Sequence, residues 1–171
     1  CCLVGSEMCI RDSCGTKSKQ LGGESAMRVI LANKEAYIPH LRSVLEGEQG
    51  NSALIDQPGL VWYLLVDDNS DEVMGLVYAH QISDVRVYVQ VVMVSRHNGR
   101  TDRNGAIENV FRHIWDFIPT ANKLETTVPV GDKAKARIFT KLGFTREGVC
   151  KASIRINGSL EDQTYFGLVR T

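Results

Sequence analysis

The sequence predicts an α+β domain: a mostly antiparallel mixed sheet with a central β–α–β unit and flanking helices. Two hairpin patterns, one on each side of a strongly amphipathic helix, predict the antiparallel parts. The strand–helix–strand succession between them requires a crossover, so one pair of strands should run parallel and adjacent. With 171 residues, the chain can bury one real core and is too short for two comfortable domains.

In chain order, MRVIL (27–31) is a short strand. NKEAYIPHLRSVLEGEQG (33–50) reads as a helix with Asn33 as N-cap and Ile38, Leu41 and Leu45 on one face. Pro39 should start its regular part or kink it. NSALIDQPG (51–59) is a connection. VWYLLVDD (61–68) is rich in β-branched and aromatic residues, DNSDE makes a turn, and VMGLVYAHQI (73–82) returns as the second arm of a hairpin. In VRVYVQVVMV (85–94), Arg86, Tyr88 and Gln90 alternate with valines before the polar face disappears.

The next helix is marked by Ala106, Ile107, Val110, Phe111, Ile114, Trp115 and Ile118 at gaps of one, three and four, and Pro119 ends it. KLETTVPV (123–130) is a strand. KAKARIFTKL (133–142) is a helix with Asp132 as N-cap and Gly143 as its terminator. FTREGVCKASIRI (144–156), the turn NGS (157–159) and DQTYFGLVR (162–170) close the chain as a hairpin, since Asn-Gly is the strongest short hairpin signal.

Twenty basic and twenty acidic residues cancel, so no global field favours nucleic acid or an anionic membrane. The four arginines of 96–112 lack the aromatic interleaving of a nucleic-acid surface. The longest apolar run falls far short of the ~20 residues that span a bilayer. Cys1, Cys2, Cys9 and Cys14 crowd the start at gaps that suit neither a disulfide framework nor a zinc site. Residues 1–13, with CLVGSEMCIRDS, resemble translated sequencing-adapter read-through. Residues 1–26 are therefore read as a non-native or disordered segment, Met27 as the native start, and 27–171 as the domain. What remains has one cysteine, Cys150, expected as a small buried hydrophobe, and suits a reducing cytoplasm.

The stretch VSRHNGRTDRNGAIENVF (94–111) sets Arg96, Arg100, Arg103, Gly99 and Gly105 between a strand and a helix. A strand, a Gly/Arg-rich loop and a helix N-terminus make a phosphate cradle, because unpaired N–H groups and the helix dipole favour an anion there.

With the closing stretch KLGFTREGVCKASIRINGSLEDQTYFGLVR, this order resembles the GNAT superfamily of acyl-CoA-dependent N-acetyltransferases. Lys141-Leu142-Gly143-Phe144, Glu147-Gly148, Asn157-Gly158, Asp162 and Tyr165 resemble its ribosomal-protein acetyltransferase branch, and the loosened G-R-T loop resembles short phage-type members. The resemblance covers 27–171. It implies acetyl-CoA as acyl donor, held by Met93 and Val94 at the thioester and by Arg96, Gly99, Arg100, Thr101, Arg103, Asn104, Gly105 and Ala106 at the pyrophosphate. Two loop registers stay open: Arg100 to Gly105, with Arg103 where the first Gly stands in the family, and Arg96 to Thr101, which keeps Gly99. Asp132 occupies the position of a pantetheine-touching Asn, and Phe139 that of a proton-donating Tyr. The strand 85–94 lacks the Glu that many relatives use as base, which leaves His80 and Tyr88 as the catalytic candidates. His97 and His113 read as loop and helix-surface residues.

The implied reaction is direct attack of a primary amine, on a protein N-terminus or a small molecule, on the thioester, without a metal. Nucleic acid and membrane are not expected partners, and sheet edges and the final hairpin offer homodimer surfaces. The alternative is a catalytically weak or inactive GNAT-like binding or structural module, of viral origin.

Overall fold

The strand-forming runs become β1 (Met27–Ala32), β2 (Leu60–Asp67), β3 (Val73–Gln81), β4 (Arg86–Met93), β5 (Lys123–Pro129), β6 (Thr145–Ile156) and β7 (Ser159–Val169). The helices are α1 (Lys34–Gln49), α2 (Arg103–Phe117) and α3 (Lys133–Lys141), with a short 3₁₀ helix at Ser52–Asp56. This is a computed structural model, and it describes residues 27–32, 34–49, 52–94, 103–156 and 158–170. The seven strands form one sheet in the order β1-β2-β3-β4-β5-β7-β6. β4 and β5 are the expected parallel neighbours, while β1–β2, β5–β7 and β6–β7 pair antiparallel. Among the described residues, no helix is long and apolar enough to cross a membrane.

The chain divides into two compact units. The first takes in the described parts of Cys1–Tyr78 and Val91–Phe111. Its core draws on Leu41 and Leu45 of α1, Trp62 to Leu65 of β2, Leu76 and Val77 of β3, and Ile107, Val110 and Phe111 of α2. Trp62 and Tyr78 rest against each other, ring centroids 5.2 Å apart. The β2–β3 turn is built by Asp67, whose buried carboxylate accepts from Asn69 N–H at 2.8 Å and Ser70 N–H at 3.0 Å. Arg28 on β1 clamps this turn by pairing with Asp68 at 3.3 Å and also with Asp71.

The second unit takes in Ala79–Gln90 and the described part of Arg112–Thr171. Its core holds Val87, Val89, Ile114, Leu124, Val128, Phe139, Phe144 and Phe166. Phe139 of α3 is fully buried, meeting Phe144 edge-on at 5.2 Å and stacking on Phe166 at 6.4 Å. Gly143, just past α3, turns the chain with φ 87°, so Phe144 drops into this cluster.

Three expectations are corrected. α1 begins at Lys34, so Pro39 lies inside the helix without starting it. It stands at an exposed position, and burial of Leu41, Val44 and Leu45 outweighs one lost backbone bond. α2 begins at Arg103, three residues before its apolar pattern, because a first helical turn can be polar all round. Cys150 is exposed, since β6 is an edge strand open on both faces along most of its length.

Gly75 of β3 faces the backbone of β4 so closely that an added Cβ would lie 2.6 Å from the Val92 carbonyl and 2.9 Å from Met93 Sδ. Gly75→Ala should therefore push β4 away near Met93. The expected loss is about 1–3 kcal/mol of stability, measured by urea unfolding.

Candidate functional site

In the first unit, the strand–loop–helix stretch ends on the first turn of α2, where Arg103, Asn104, Gly105 and Ala106 lie together. The leading N–H groups of a helix have no intrahelical acceptor. Gly105 is exposed, and nothing lies within 4 Å of where its Cβ would be, so this turn presents bare backbone to an approaching group. Arg103 is half-buried, and that burial pushes its guanidinium below the ordinary value. The buried Asn104 Oδ1 meets no hydrogen-bond partner among the described residues. These groups fit an anionic ligand. Arg96, Gly99, Arg100, Thr101 and His97 lie outside the described residues.

Val94 and Met93 behave differently. Val94 N–H donates to the Met74 carbonyl at 2.9 Å, so its backbone belongs to β3. Peptide groups alternate sides along a strand, and those of Met93 consequently point away from β3, available to another carbonyl or N–H. Val94 instead lines a cavity of about 360 Å³ with His40, Ser43, Val44, Gly47, Asp71, Glu72 and Val73.

In the second unit, β4 and β5 pair at Arg86–Lys123, Val87–Leu124 and Tyr88–Glu125, where their register ends. Side chains span the next step. Gln90 Nε2 donates to the Thr127 carbonyl and to Tyr88 Oη, each at 3.4 Å, and Thr126 Oγ1 donates to Gln90 Oε1 at 3.4 Å. Tyr88 Oη lies 2.9 Å from Thr127 Oγ1, which also accepts from Gln163 Nε2 at 3.2 Å. Ser153 Oγ extends the chain of contacts to Gln163 Oε1 at 3.2 Å. Burial raises the Tyr88 phenol above its ordinary value, against a smaller lowering by Thr127, so at neutral pH it holds its proton.

His80 lies at the exposed end of β3. Ile82 N–H donates to the Arg86 carbonyl at 3.0 Å, and counting back from that pair sets His80 opposite Tyr88 on the same face. The two catalytic candidates are thus cross-strand neighbours. Asp132 caps α3, its Oδ1 accepting from Lys135 N–H at 2.9 Å, and Phe139 is core. Among the described residues, no three of His, Cys, Asp and Glu gather as a metal site.

The closing motif has structural work. Glu147 lies over Gly167, where an added Cβ would collide with its Oε1, and pairs with Lys123 at 2.8 Å. Lys123 also pairs with Glu125 at 3.2 Å, and Arg86 with Glu125 at 3.5 Å. Asp162 pins an irregularity in β6 between Cys150 and Ile154, accepting from Ala152 N–H at 2.9 Å and Lys151 Nζ at 2.7 Å. Ala152 has φ 47°, a left-handed conformation held by that bond.

The bridge of Gln90, Thr126, Thr127 and Gln163 escaped sequence reasoning. The only signal was a glutamine within a valine strand and a Thr-Thr pair within another, neither of which specifies a partner.

No family model matches the chain, and no curated protein matches it. Solved structures do. Spermidine N-acetyltransferase from Vibrio cholerae in complex with CoA and spermine matches with a TM-score of 0.69 at 13% identity, over 84% of this chain and 95% of that one. Mutant forms of the spermidine/spermine N-acetyltransferase from the same organism match at 0.69 and 14%, over 84% and 95%. The dodecameric structure of the enzyme in an intermediate state matches at 0.66 and 15%, over 84% and 94%. The chain therefore has the GNAT acetyltransferase fold.

Two outcomes follow from the charges in the second unit. Burial pushes the Lys135 amine down to about 8, against the opposing pull of Asp132. The unfolded chain then binds more protons between about 8 and the usual 10.5, so stability rises with pH across that window and the cost is fully present below it. Lys135→Met should raise the melting temperature at pH 7, and the gain should shrink above pH 10, as read by calorimetry. For Asp162, the Lys151 bond first and the Ala152 N–H second hold the carboxyl below its ordinary value. Its contribution is present above the ordinary carboxylate range and is lost as pH falls through the lowered value. Asp162→Ala should speed hydrogen exchange at the Ala152 amide at neutral pH and abolish the loss of protection expected in the parent as pH falls.

Proposed function

We propose that this protein transfers an acetyl group from acetyl-CoA to a primary amine, on a protein N-terminus or a small molecule, by direct attack of the amine on the thioester. The observation that carries the reading is the strand–loop–helix unit of a GNAT fold, opening on the bare first turn of α2. The amides of Arg103 to Ala106 suit a pyrophosphate, and an anion beside the desolvated Arg103 guanidinium would relieve its burial. Arg96, Gly99, Arg100 and Thr101 would add charge and backbone from the loop, and Met93 a backbone contact to the thioester end. When bound, acetyl-CoA supplies an activated acyl carbon. The protein's share is to hold both reactants in line and to manage one proton, for which His80 and Tyr88 are the nominated groups.

Asp132 and Phe139 serve as cap and core, so neither is given a step. The fold neighbours act on spermidine and spermine. In this chain, Glu125, Glu147 and Asp162 each pair with a cation of the protein, which suits an acceptor with a single amine better than a polycation.

Calorimetry with CoA tests the reading. Saturating ligand should raise folding stability by about 2.7 kcal/mol at one hundred times the dissociation constant. Arg103→Glu should lose most of that shift while keeping its own unliganded melting temperature within a few degrees. A folded protein that gives no heat and no shift with CoA would refute acetyl-CoA use.

A further inference from the structure

Within the second unit, β7 turns one face toward α3 and the other away from it. Thr164 and Phe166 are buried, and Phe166 stacks on Phe139 of α3. Glu161, Gln163 and Tyr165 therefore share the opposite side of the strand, successive ones about 7 Å apart. Glu161 and Gln163 are half-buried, and Tyr165 is exposed. On β6 the partner of Tyr165 is Gly148, where nothing lies within 4 Å of an added Cβ, so one flank of the phenol ring is open. On β5 its partner is Thr127, which carries the 2.9 Å bond to Tyr88 Oη.

This row keeps hydrogen-bonding capacity in reserve. Gln163 Nε2 gives one hydrogen to Thr127 Oγ1 at 3.2 Å, and Gln163 Oε1 accepts from Ser153 Oγ at 3.2 Å. Among the described residues, its second amide hydrogen meets no acceptor, and Tyr165 Oη and the Glu161 carboxylate meet no partner at all. The other carboxylates of the hairpin and of β5 are matched: Glu125 with Arg86 and Lys123, Glu147 with Lys123, and Asp162 with Lys151.

An open aromatic ring, a carboxamide and an unpaired carboxylate in one row suit a sugar. The faces of a pyranose carry C–H bonds that lie flat on an aromatic surface, and its rim carries hydroxyls that both donate and accept. A carboxylate accepts from two neighbouring hydroxyls, and a carboxamide offers a hydroxyl either kind of bond. The row contains no cation, so nothing in it answers an anionic substituent.

Building on the acetyl-transfer reading, we infer that the acceptor is an amino sugar without an anionic group, laid along Tyr165, Gln163 and Glu161 with its amine at the Tyr88 end. Tyr165 supplies the stacking surface, and Gln163 and Glu161 bind ring hydroxyls. Thr127 and Ser153 hold Gln163 in place and act as positioning residues. The sugar nitrogen bonds to the acyl carbon as the carbon–sulfur bond breaks, and the proton that it loses ends on the thiol.

Two measurements on the whole chain test this. In the first, glucosamine is titrated into the protein without CoA, and the tyrosine ring signals are followed by NMR. The Tyr165 ring should shift, and Gly148→Val, which fills the open flank, should remove that response with the melting temperature held within a few degrees. In the second, thiol release from acetyl-CoA is followed with glucosamine, glucosamine 6-phosphate, a linear monoamine, a linear diamine and a short peptide. Glucosamine should exceed each of the others in kcat/KM by about tenfold or more. Tyr165→Ala, Gln163→Leu and Glu161→Gln should each lower the ratio of kcat/KM for glucosamine to that for the monoamine about tenfold, through KM. Preference for the diamine, the phosphate or the peptide, an unaltered ratio in all three variants, or a Tyr165 ring that glucosamine leaves unshifted would overturn the amino-sugar assignment and leave acetyl transfer standing. A folded chain that binds no CoA and acetylates no amine, yet shows the Tyr165 shift, would keep the sugar site and overturn the transfer reading.

Discussion

The parting of β4 from β5 after Tyr88 is the constraint on which the rest of the site depends. A parallel pair joined by a crossover helix tends to pair along its full length, since every unpaired N–H and C=O on a buried strand costs free energy. Here the loss is offset by side chains that reach across the opening, with Gln90 supplying both donor and acceptor. β5 meanwhile stays paired with β7 from Lys123 to Pro129, so its other edge is secure. Close approach on the opposite side of β4 completes the arrangement. Gly75 lets the β4 backbone near Val92 and Met93 come closer than any side chain would permit.

That geometry explains why polar residues occupy the middle of otherwise apolar strands. Gln90, Thr126 and Thr127 are all buried, and in a fully paired sheet they would be expensive substitutes for valine. At an opening they are the residues whose hydrogen bonds can follow the strands as they diverge. Tyr88 gains its fixed orientation from the same network, which couples a catalytic nomination to a structural requirement.

Much of the fold was readable because its signals were local. Alternating valines in β4, the apolar stripe of α2, Asp132 and Gly143 at the ends of α3, and Gly158 before β7 each specify a backbone conformation within a few residues. The errors also had local causes. Polar Arg103 to Gly105 hid the first turn of α2, and Pro39 hid the continuity of α1. Cys150 was misplaced because hydrophobicity does not tell an edge strand from a central one, and only the sheet order puts β6 outermost. Of the site, the candidates His80 and Tyr88 could be named from the strands that carry them. Their pairing depends on the register of a hairpin, and the bridge to Thr127 joins residues 37 and 39 positions apart, a relation that no spacing rule encodes.

The closing stretch shows how a motif can be recognised for one reason and maintained by another. Glu147 is held by Lys123 above Gly167, whose missing side chain makes the room, and Asp162 fixes the left-handed Ala152 in the strand beside it. Glu147 and Asp162, two of the residues that made this segment look like part of an acetyltransferase, thus tie the β6–β7 hairpin to β5 or shape it. Phe139 completes the same logic from the other side of the sheet. A hydroxyl at its ring tip would have to be satisfied inside a cluster formed with Phe144 and Phe166. That ring is committed to packing, whereas the Tyr88 phenol on β4 has its hydroxyl held by Thr127 and Gln90.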